Sequence, residues 1–333
     1  MSQDAEGTAG PPLASRPHSG FRWGAAAPVV GVIGAGAVGC YYGGRLARAD
    51  IQVHFLAHSN HDALAVNGLT VRSIDGDFAI PVRVHRDVAS LPRLDLALVA
   101  LKGTSVAAIE TLLPPLMNDR FAVACLMNGL GNEERIAALV GAERTIAGSA
   151  FICSEETAPG VVAHTAAGGL AFAPFSASPT PGLVTPEILA ALFTGAGVSC
   201  RVEANPKTLK WSKLVWNVPF NGLSVHYGGM TTDLILSDPE RTAFARALME
   251  EVIAAGRADG AVLDDALIEK NLRATPPMGA YRTSMMVDFV KGRPIEFESI
   301  LVEPWRRGRA ANLELPAMTR LLDGVRRRLA MKT

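Results

Sequence analysis

Val29-Val30-Gly31-Val32-Ile33-Gly34-Ala35-Gly36-Ala37-Val38-Gly39 is the stretch on which the reading of this chain turns. Residues 29–33 are short, apolar and rich in β-branched side chains, the pattern of a strand buried on both faces of a parallel sheet. A GxGxxG follows, and residues 37–49 then read as a helix. A glycine string alone is weak evidence. Placed directly after a strand and at a helix start, it has the context of a dinucleotide-binding turn. Gly34 permits the tight turn, Gly36 lets the backbone approach a pyrophosphate, and Gly39 lets helix and strand pack closely. Free N–H groups at the helix start, with its dipole, favour phosphate. Gly34, Ala35, Gly36, Ala37, Val38 and Gly39 are therefore the candidate cofactor-binding residues.

Outward from this turn, strands alternate with helices. Residues 51–56, 95–101, 121–127 and 144–151 read as strands, and 104–116 and 132–140 as helices. That alternation implies a doubly wound, Rossmann-like parallel sheet. Residues 161–173 read as hairpin-like strands broken at Gly168-Gly169, and 185–196 as a helix. From Pro206 strands almost vanish, and 206–226, 239–259, 264–272, 281–291, 295–307 and 316–329 all read as helical. The residue before proline resists helix, so a boundary is expected at Asn205-Pro206. The expected architecture is α/β: a dinucleotide-binding domain over 28–205, then an all-helical domain over 206–333. Residues 1–27, rich in Gly, Ala, Pro and Ser, read as a disordered extension without the basic start and apolar core of a secretory signal.

Bulk properties exclude several classes. The chain has 333 residues, 49% of them hydrophobic, and a formal net charge of zero. Nucleic-acid binding would need clustered excess Lys and Arg. Arg326-Arg327-Arg328 reads instead as a solvated helix end. No stretch approaches the roughly 20 apolar residues of a membrane span. Cys40, Cys125, Cys153 and Cys200 lack paired metal-ligand spacing and read as reduced thiols of a cytoplasmic protein. No metal is expected.

After the second strand the sequence runs Ala57-His58-Ser59-Asn60. An NAD enzyme usually carries a carboxylate there for the ribose 2′-hydroxyl. Its absence, with His58 and Ser59 able to donate hydrogen bonds, favours NADP. The other reading of His58 is an exposed loop histidine.

Lys213, Asn217 and Asn221 recur at i, i+4 and i+8, one polar stripe on a helix that also carries Trp211, Trp216, Pro219 and Phe220. Buried Lys and Asn need partners, and a ligand bearing a carboxylate, a carbonyl and hydroxyls would supply them. A surface stripe is the alternative, but such stripes seldom carry two tryptophans and a proline. Pro219 should kink this helix. Further on, Ser284 and Asp288 share a helix face. Gly292 and Pro294 fit a helix stop and start, and Glu296 fits a first helical turn or a site equally well.

Taken together, these motifs resemble the ketopantoate reductase family over nearly the whole chain from Val29. The resemblance rests on Gly34–Gly39, Leu101-Lys102, Met127-Asn128-Gly129-Leu130-Gly131-Asn132-Glu133-Glu134, the KxxxNxxxN from Lys213, and Ser284 followed by Gly292-Arg293-Pro294 and Glu296. It implies an NADPH-dependent oxidoreductase that reduces 2-dehydropantoate to pantoate, a precursor of pantothenate and coenzyme A. It implies Lys213 as proton donor and Asn128 at the junction of nicotinamide and substrate. It also implies Glu296, Asn217 and Asn221 on substrate hydroxyls, Ser284 on its carboxylate, and Lys102 near the adenosine end of NADPH. Three features depart from the family pattern: His58 stands where arginine is frequent, Phe297-Glu298-Ser299-Ile300-Leu301-Val302 follows Glu296, and the extension over 1–27 is absent from the compact family pattern. The alternatives are reduction of another small 2-oxo acid on the same machinery, and a non-catalytic dinucleotide-binding regulator. The oligomeric state is open, with a homodimer as one candidate.

Overall fold

The computed structural model describes residues 27–177 and 180–331; most of the extension expected over 1–27 lies outside them. Its strands are β1 (Val30–Ile33), β2 (Val53–Leu56), β3 (Leu69–Ser73), β4 (Phe78–Ile80), β5 (Arg83–His85), β6 (Leu96–Val99), β7 (Ala122–Cys125), β8 (Thr145–Ala158), β9 (Val161–Pro174) and β10 (Cys200–Val202). They form one sheet in the order β4-β3-β9-β8-β7-β6-β1-β2-β5, with β10 on β9. Around it lie α1 (Ala37–Arg48), α2 (His61–Asn67), α3 (Ile109–Leu112), α4 (Asn132–Val140) and α5 (Pro186–Gly195). The C-terminal part is helical: α6 (Pro206–His226), α7 (Thr232–Leu236), α8 (Pro239–Ala258), α9 (Ala266–Ala274), α10 (Ser284–Val290), α11 (Glu303–Ala310) and α12 (Pro316–Ala330). No helix among the described residues is long and apolar enough to cross a membrane.

The apolar runs become strands because the sheet is covered on both faces. Successive residues of β6 serve opposite cores. Leu96 and Leu98 pack with Tyr42 and Leu46 of α1, while Ala97 and Val99 pack with Ile109, Leu113 and Ile136. A two-sided core rewards continuous apolar sequence rather than alternation. β1, β2, β6 and β7 are parallel and in register, with Ile33 beside Leu56 and Val99, and Val99 beside Cys125. Their carboxyl ends thus share one edge, where open α/β sheets bind ligands.

The sheet is mostly parallel, with two antiparallel exceptions. β3 pairs with β4, and β8 forms a long hairpin with β9. Only two residues join β8 to β9, too few for a parallel crossover. Gly168 does not break this strand, as the sequence suggested. Ala167 and Gly168 take positive φ (61° and 115°), and the register slips between Phe151 and Ile152, so the glycine marks a bulge in a continuous strand. Residues 104–116, expected as one helix, split into 3₁₀ turns around the short α3 ahead of Pro114-Pro115.

α6 begins at Pro206, with Asn205 as its cap; Asn205 Oδ1 accepts from Lys207 N (2.8 Å) and Thr208 N (3.1 Å). It runs unbroken through Pro219 to His226. Its first turn reaches the sheet because the strand residues there are small: Leu209 packs on Ala147, Ala171 and Ala173. Its remainder enters a separate helical core through Trp211, Leu214, Val218 and Phe220. One helix is therefore anchored in both halves. Replacing Asn205 with Ala should lower stability by about 1 kcal/mol, the ordinary value of such a cap, and urea unfolding will measure it.

Candidate active site

The candidate residues from α6 meet the loop after β7. Lys213 Nζ donates to Asn128 Oδ1 and to the carbonyl of Ala150 on β8, each at 2.7 Å. Asn128 Nδ2 donates in turn to Glu296 Oε2 (3.0 Å), and Glu296 Oε1 accepts from the backbone N–H of Gly103 (2.8 Å). Lys213, Asn128 and Glu296, read separately in the sequence, thus form one chain of hydrogen bonds. An ammonium has three protons to give, and these bonds use two of them.

The electrostatics suit proton transfer. Burial is the main force lowering the Lys213 pKa, to about 8, and the cation of Lys210 pushes the same way; the Glu296 carboxylate opposes both. Lys210, three residues earlier on α6, is a different kind of lysine. It pairs with Glu133 Oε1 at 2.7 Å and donates to the carbonyls of Met127 (2.8 Å) and Gly148 (3.3 Å). Burial works against its charge, yet Glu133 and its other neighbours hold its pKa above the usual lysine value.

The loop carrying Asn128 is locked against the C-terminal part. Gly129 has φ +81°, and a Cβ there would lie 2.2 Å from the Ser299 carbonyl, so only glycine permits the approach. Leu130 N donates to that same carbonyl at 2.9 Å. Ser299 lies in a π-helical turn, Glu298–Val302, that leads into α11. The sequence suggested a plain helix here; the wider turn accompanies the stretch that departs from the family pattern. Asn132 Nδ2 closes the loop on the Asn128 carbonyl (2.9 Å).

The other stripe residues lie farther along α6. Asn217 is buried and borders a small cavity with Asn128, Gly129, Lys213 and Leu214. Asn221 is buried, and its Oδ1 accepts from Met285 N (3.2 Å), one residue beyond Ser284. Ser284 is exposed at the start of α10, which Thr283 caps.

At the glycine turn, Gly34 has φ +102°, and a Cβ there would sit 2.9 Å from Ala100 and Leu101 backbone atoms. A Cβ on Gly36 would meet nothing within 4 Å. The turn is thus packed behind and open in front. α1 has no acidic residue in its first turn and no side-chain cap, which leaves its N–H groups available to a phosphate. These residues fit a dinucleotide. Beside them His58 and Ser59 are exposed, while Asn60 is buried and donates to the Ala35 carbonyl and to Glu156. Lys102 follows β6 on the same edge, where its Nζ lies 2.6 Å from both carboxylate oxygens of Asp288 on α10.

Residues 30–177 match the family described as "Ketopantoate reductase PanE/ApbA", and residues 205–328 match "Ketopantoate reductase PanE/ApbA C terminal". The chain belongs to the ketopantoate reductase family. A relative from Nostoc named 2-dehydropantoate 2-reductase is 35% identical over 302 residues, covering 88% of this chain and 94% of its own. A crystal structure of 2-dehydropantoate 2-reductase from Geobacter metallireducens superposes with a TM-score of 0.86 at 39% identity, covering 90% and 99% of the two chains. One from Methylococcus capsulatus gives 0.81 at 33% identity, covering 91% and 97%. The ketopantoate reductase family is one of dinucleotide-binding reductases, which agrees with the cradle at Gly34–Gly39.

Sequence reasoning missed Lys210 as a member of this cluster. The available signal was its place one helical turn before Lys213, together with Glu133 in the motif that carries Asn128. Because the Glu296 carboxylate favours the charged amine, Glu296→Gln should move the Lys213 titration below about pH 8. Acylation of Lys213 across a pH series, quantified by mass spectrometry, checks this; an unmoved midpoint would show that the carboxylate is not felt.

Proposed function

We propose that this chain is an NADPH-dependent 2-dehydropantoate 2-reductase, forming pantoate for pantothenate and coenzyme A synthesis in the cytoplasm. The observation that carries the reading is Lys213: a partly buried amine with a pKa near 8, two fixed acceptors and one proton to spare. A regulator that only bound dinucleotide would have no use for such a group. The family match supports the substrate, and the four free cysteines fit a reducing compartment.

Bound NADPH supplies the hydride that the keto carbon accepts. Lys213 polarises the keto oxygen with its remaining N–H and gives up that proton as the alcohol forms. Asn128 and the Ala150 carbonyl hold the amine against rotation while this happens. Glu296, Asn217 and Asn221 would hold the substrate hydroxyl, and Ser284 its carboxylate. Gly34, Ala35, Gly36, Ala37, Val38 and Gly39 would take the pyrophosphate, with Lys102 near the adenosine end. His58 and Ser59 would take a 2′-phosphate, which no carboxylate within 57–60 opposes. The π-helical departure after Glu296 favours one second reading, reduction of a different small 2-oxo acid at the same centre.

Four measurements test this. NADPH oxidation should be fastest with 2-dehydropantoate across a panel of 2-oxo acids; equal rates would favour the second reading. Lys213→Ala should reduce kcat by about 10²–10⁴-fold, the usual contribution of a positioned acid, and full turnover in that variant would end the proposed chemistry. Because the donor must be protonated, reduction should fade as pH rises through about 8, and the reverse oxidation should gain over the same interval. At the turn, Gly36→Val should leave the melting temperature within a few degrees yet weaken NADPH binding at least tenfold by calorimetry, since its side chain enters space that is open only without ligand.

A further inference from the structure

Lys210 and Glu133 form a buried ion pair at 2.7 Å, with 9% and 4% of their side chains exposed. Removing two such groups from water is costly, and apolar residues of the same size often serve stability as well or better. Packing alone therefore gives little reason for a charged pair here. Its surroundings give a better one.

Lys210 and Lys213 share a face of α6 at i and i+3. Their bonds interleave on the same two segments. Lys210 donates to the Met127 carbonyl, and Lys213 to the side chain of Asn128, the next residue. Lys210 donates to the Gly148 carbonyl, and Lys213 to that of Ala150, two residues along β8. Lys210 gives two protons to carbonyls and sets its charge against the Glu133 carboxylate, whereas Lys213 gives two protons to neutral acceptors and has no carboxylate in ion-pair contact among the described residues. Lys210 is thus a buried cation fixed by a carboxylate and two carbonyls, held one helical turn from an amine that keeps one proton free.

We propose that Lys210, fixed by Glu133, is a positioning residue for Lys213. It pins the Asn128 loop and β8 to α6, and its permanent charge weakens the hold of the Lys213 amine on its proton. Without that neighbour, the amine would keep its proton to higher pH and release it less readily. The groups facing the pair fit this assignment. Glu296 acts on Lys213 from beyond α10 and favours its charge. Glu133 and Glu134 of α4 favour the charge of Lys210, and the neighbouring Cys125 of β7 is kept an uncharged thiol by burial, which raises its pKa well above the usual value. The carboxylates nearest Lys210 hold it cationic, which keeps the local repulsion on Lys213 in place. The effect on turnover rests on Lys213 being the proton donor proposed above; the effect on its titration does not.

The test uses the full chain with both charges removed, Lys210→Met with Glu133→Gln, so that no charge is left buried and unpaired. Lys213 acylation against pH, read on its own peptide by mass spectrometry, needs neither cofactor nor substrate. Its midpoint should rise by about one pH unit from about 8, the scale of one neighbouring charge at partly screened range. Lys210→Arg, which keeps the cation, should hold the wild-type midpoint. In turnover, the alkaline limb should shift upward by the same amount while kcat falls and KM for the oxo acid changes less than twofold. A folded double variant with an unmoved midpoint would overturn the proposal, as would Lys210→Arg shifting as far as the neutral pair. Should the Met form fail to fold, Lys210→Gln with Glu133→Gln removes both charges while keeping polar side chains at both positions, and decides by the same midpoint. Full activity in Lys213→Ala would refute the reaction reading and leave the titration result standing.

Discussion

The amide of Asn128 is the hinge of this site. Its oxygen accepts from Lys213 and its nitrogen donates to Glu296, so both ends are committed. The commitment has a direction. Turning the amide over would aim an N–H₂ at an ammonium and an oxygen at a carboxylate, two repulsive contacts in place of two bonds. Only one orientation satisfies both neighbours, and it requires Lys213 as the donor and Glu296 as an acceptor. The amide thus joins α6, the loop after β7 and the chain before α11, each supplying one member.

That junction follows from packing that begins in the sheet. The parallel strands bring the ends of β1, β2, β6 and β7 to one edge, where a glycine turn and the Asn128 loop both emerge. Ala147, Ala171 and Ala173 then leave room for Leu209, so α6 sits close enough for its lysines to reach carbonyls of β8. Bulkier strand residues would push the helix outward, and a lysine side chain would reach water before it reached Ala150. Gly129 has the same function on the opposite side, where any Cβ would drive Ser299 away.

Legibility in the sequence followed how local each signal was. The buried strands announced themselves as apolar runs, and the glycine turn by its place between strand and helix. The bounds of α6 and its Lys213 stripe were readable, because the stripe and the tryptophans fall on distinct faces of a single helix, but Lys210 on the same helix was not singled out. Residues 57–94 carried no comparable pattern. β3, β4 and β5 are short strands toward the ends of the sheet, with exposed positions such as Arg72, Ala79 and Arg83; β3 alternates, with Leu69 and Val71 buried, but over only five residues, and β4 and β5 have three each. Gly168 looked like a break because a bulge and a turn both ask for positive φ; only the partner strand tells them apart. The π-helical turn was hidden for a related reason, since the Gly129 and Leu130 contacts that its Ser299 carbonyl makes lie far away in the sequence. The amide chain was partly legible: each member was a candidate, but their connection depends on three distant segments meeting.

The two lysines of α6 show why residue type alone cannot assign chemistry. Lys210 and Lys213 are chemically identical, one helical turn apart, and both are removed from most of the solvent. What separates them is the number and charge of their acceptors. A carboxylate in ion-pair contact and two carbonyls surround the first and secure its charge. An amide and one carbonyl, both neutral, leave the second short of one acceptor and less able to keep its proton. An amine in that condition is completed by a third acceptor, and a keto oxygen gaining negative charge is a better one than water or a neutral carbonyl. In the proposed reaction the free N–H of Lys213 would do more than mark a binding position: its hydrogen bond would strengthen as charge develops on the oxygen, which is the condition for accelerating a reaction rather than merely holding its substrate.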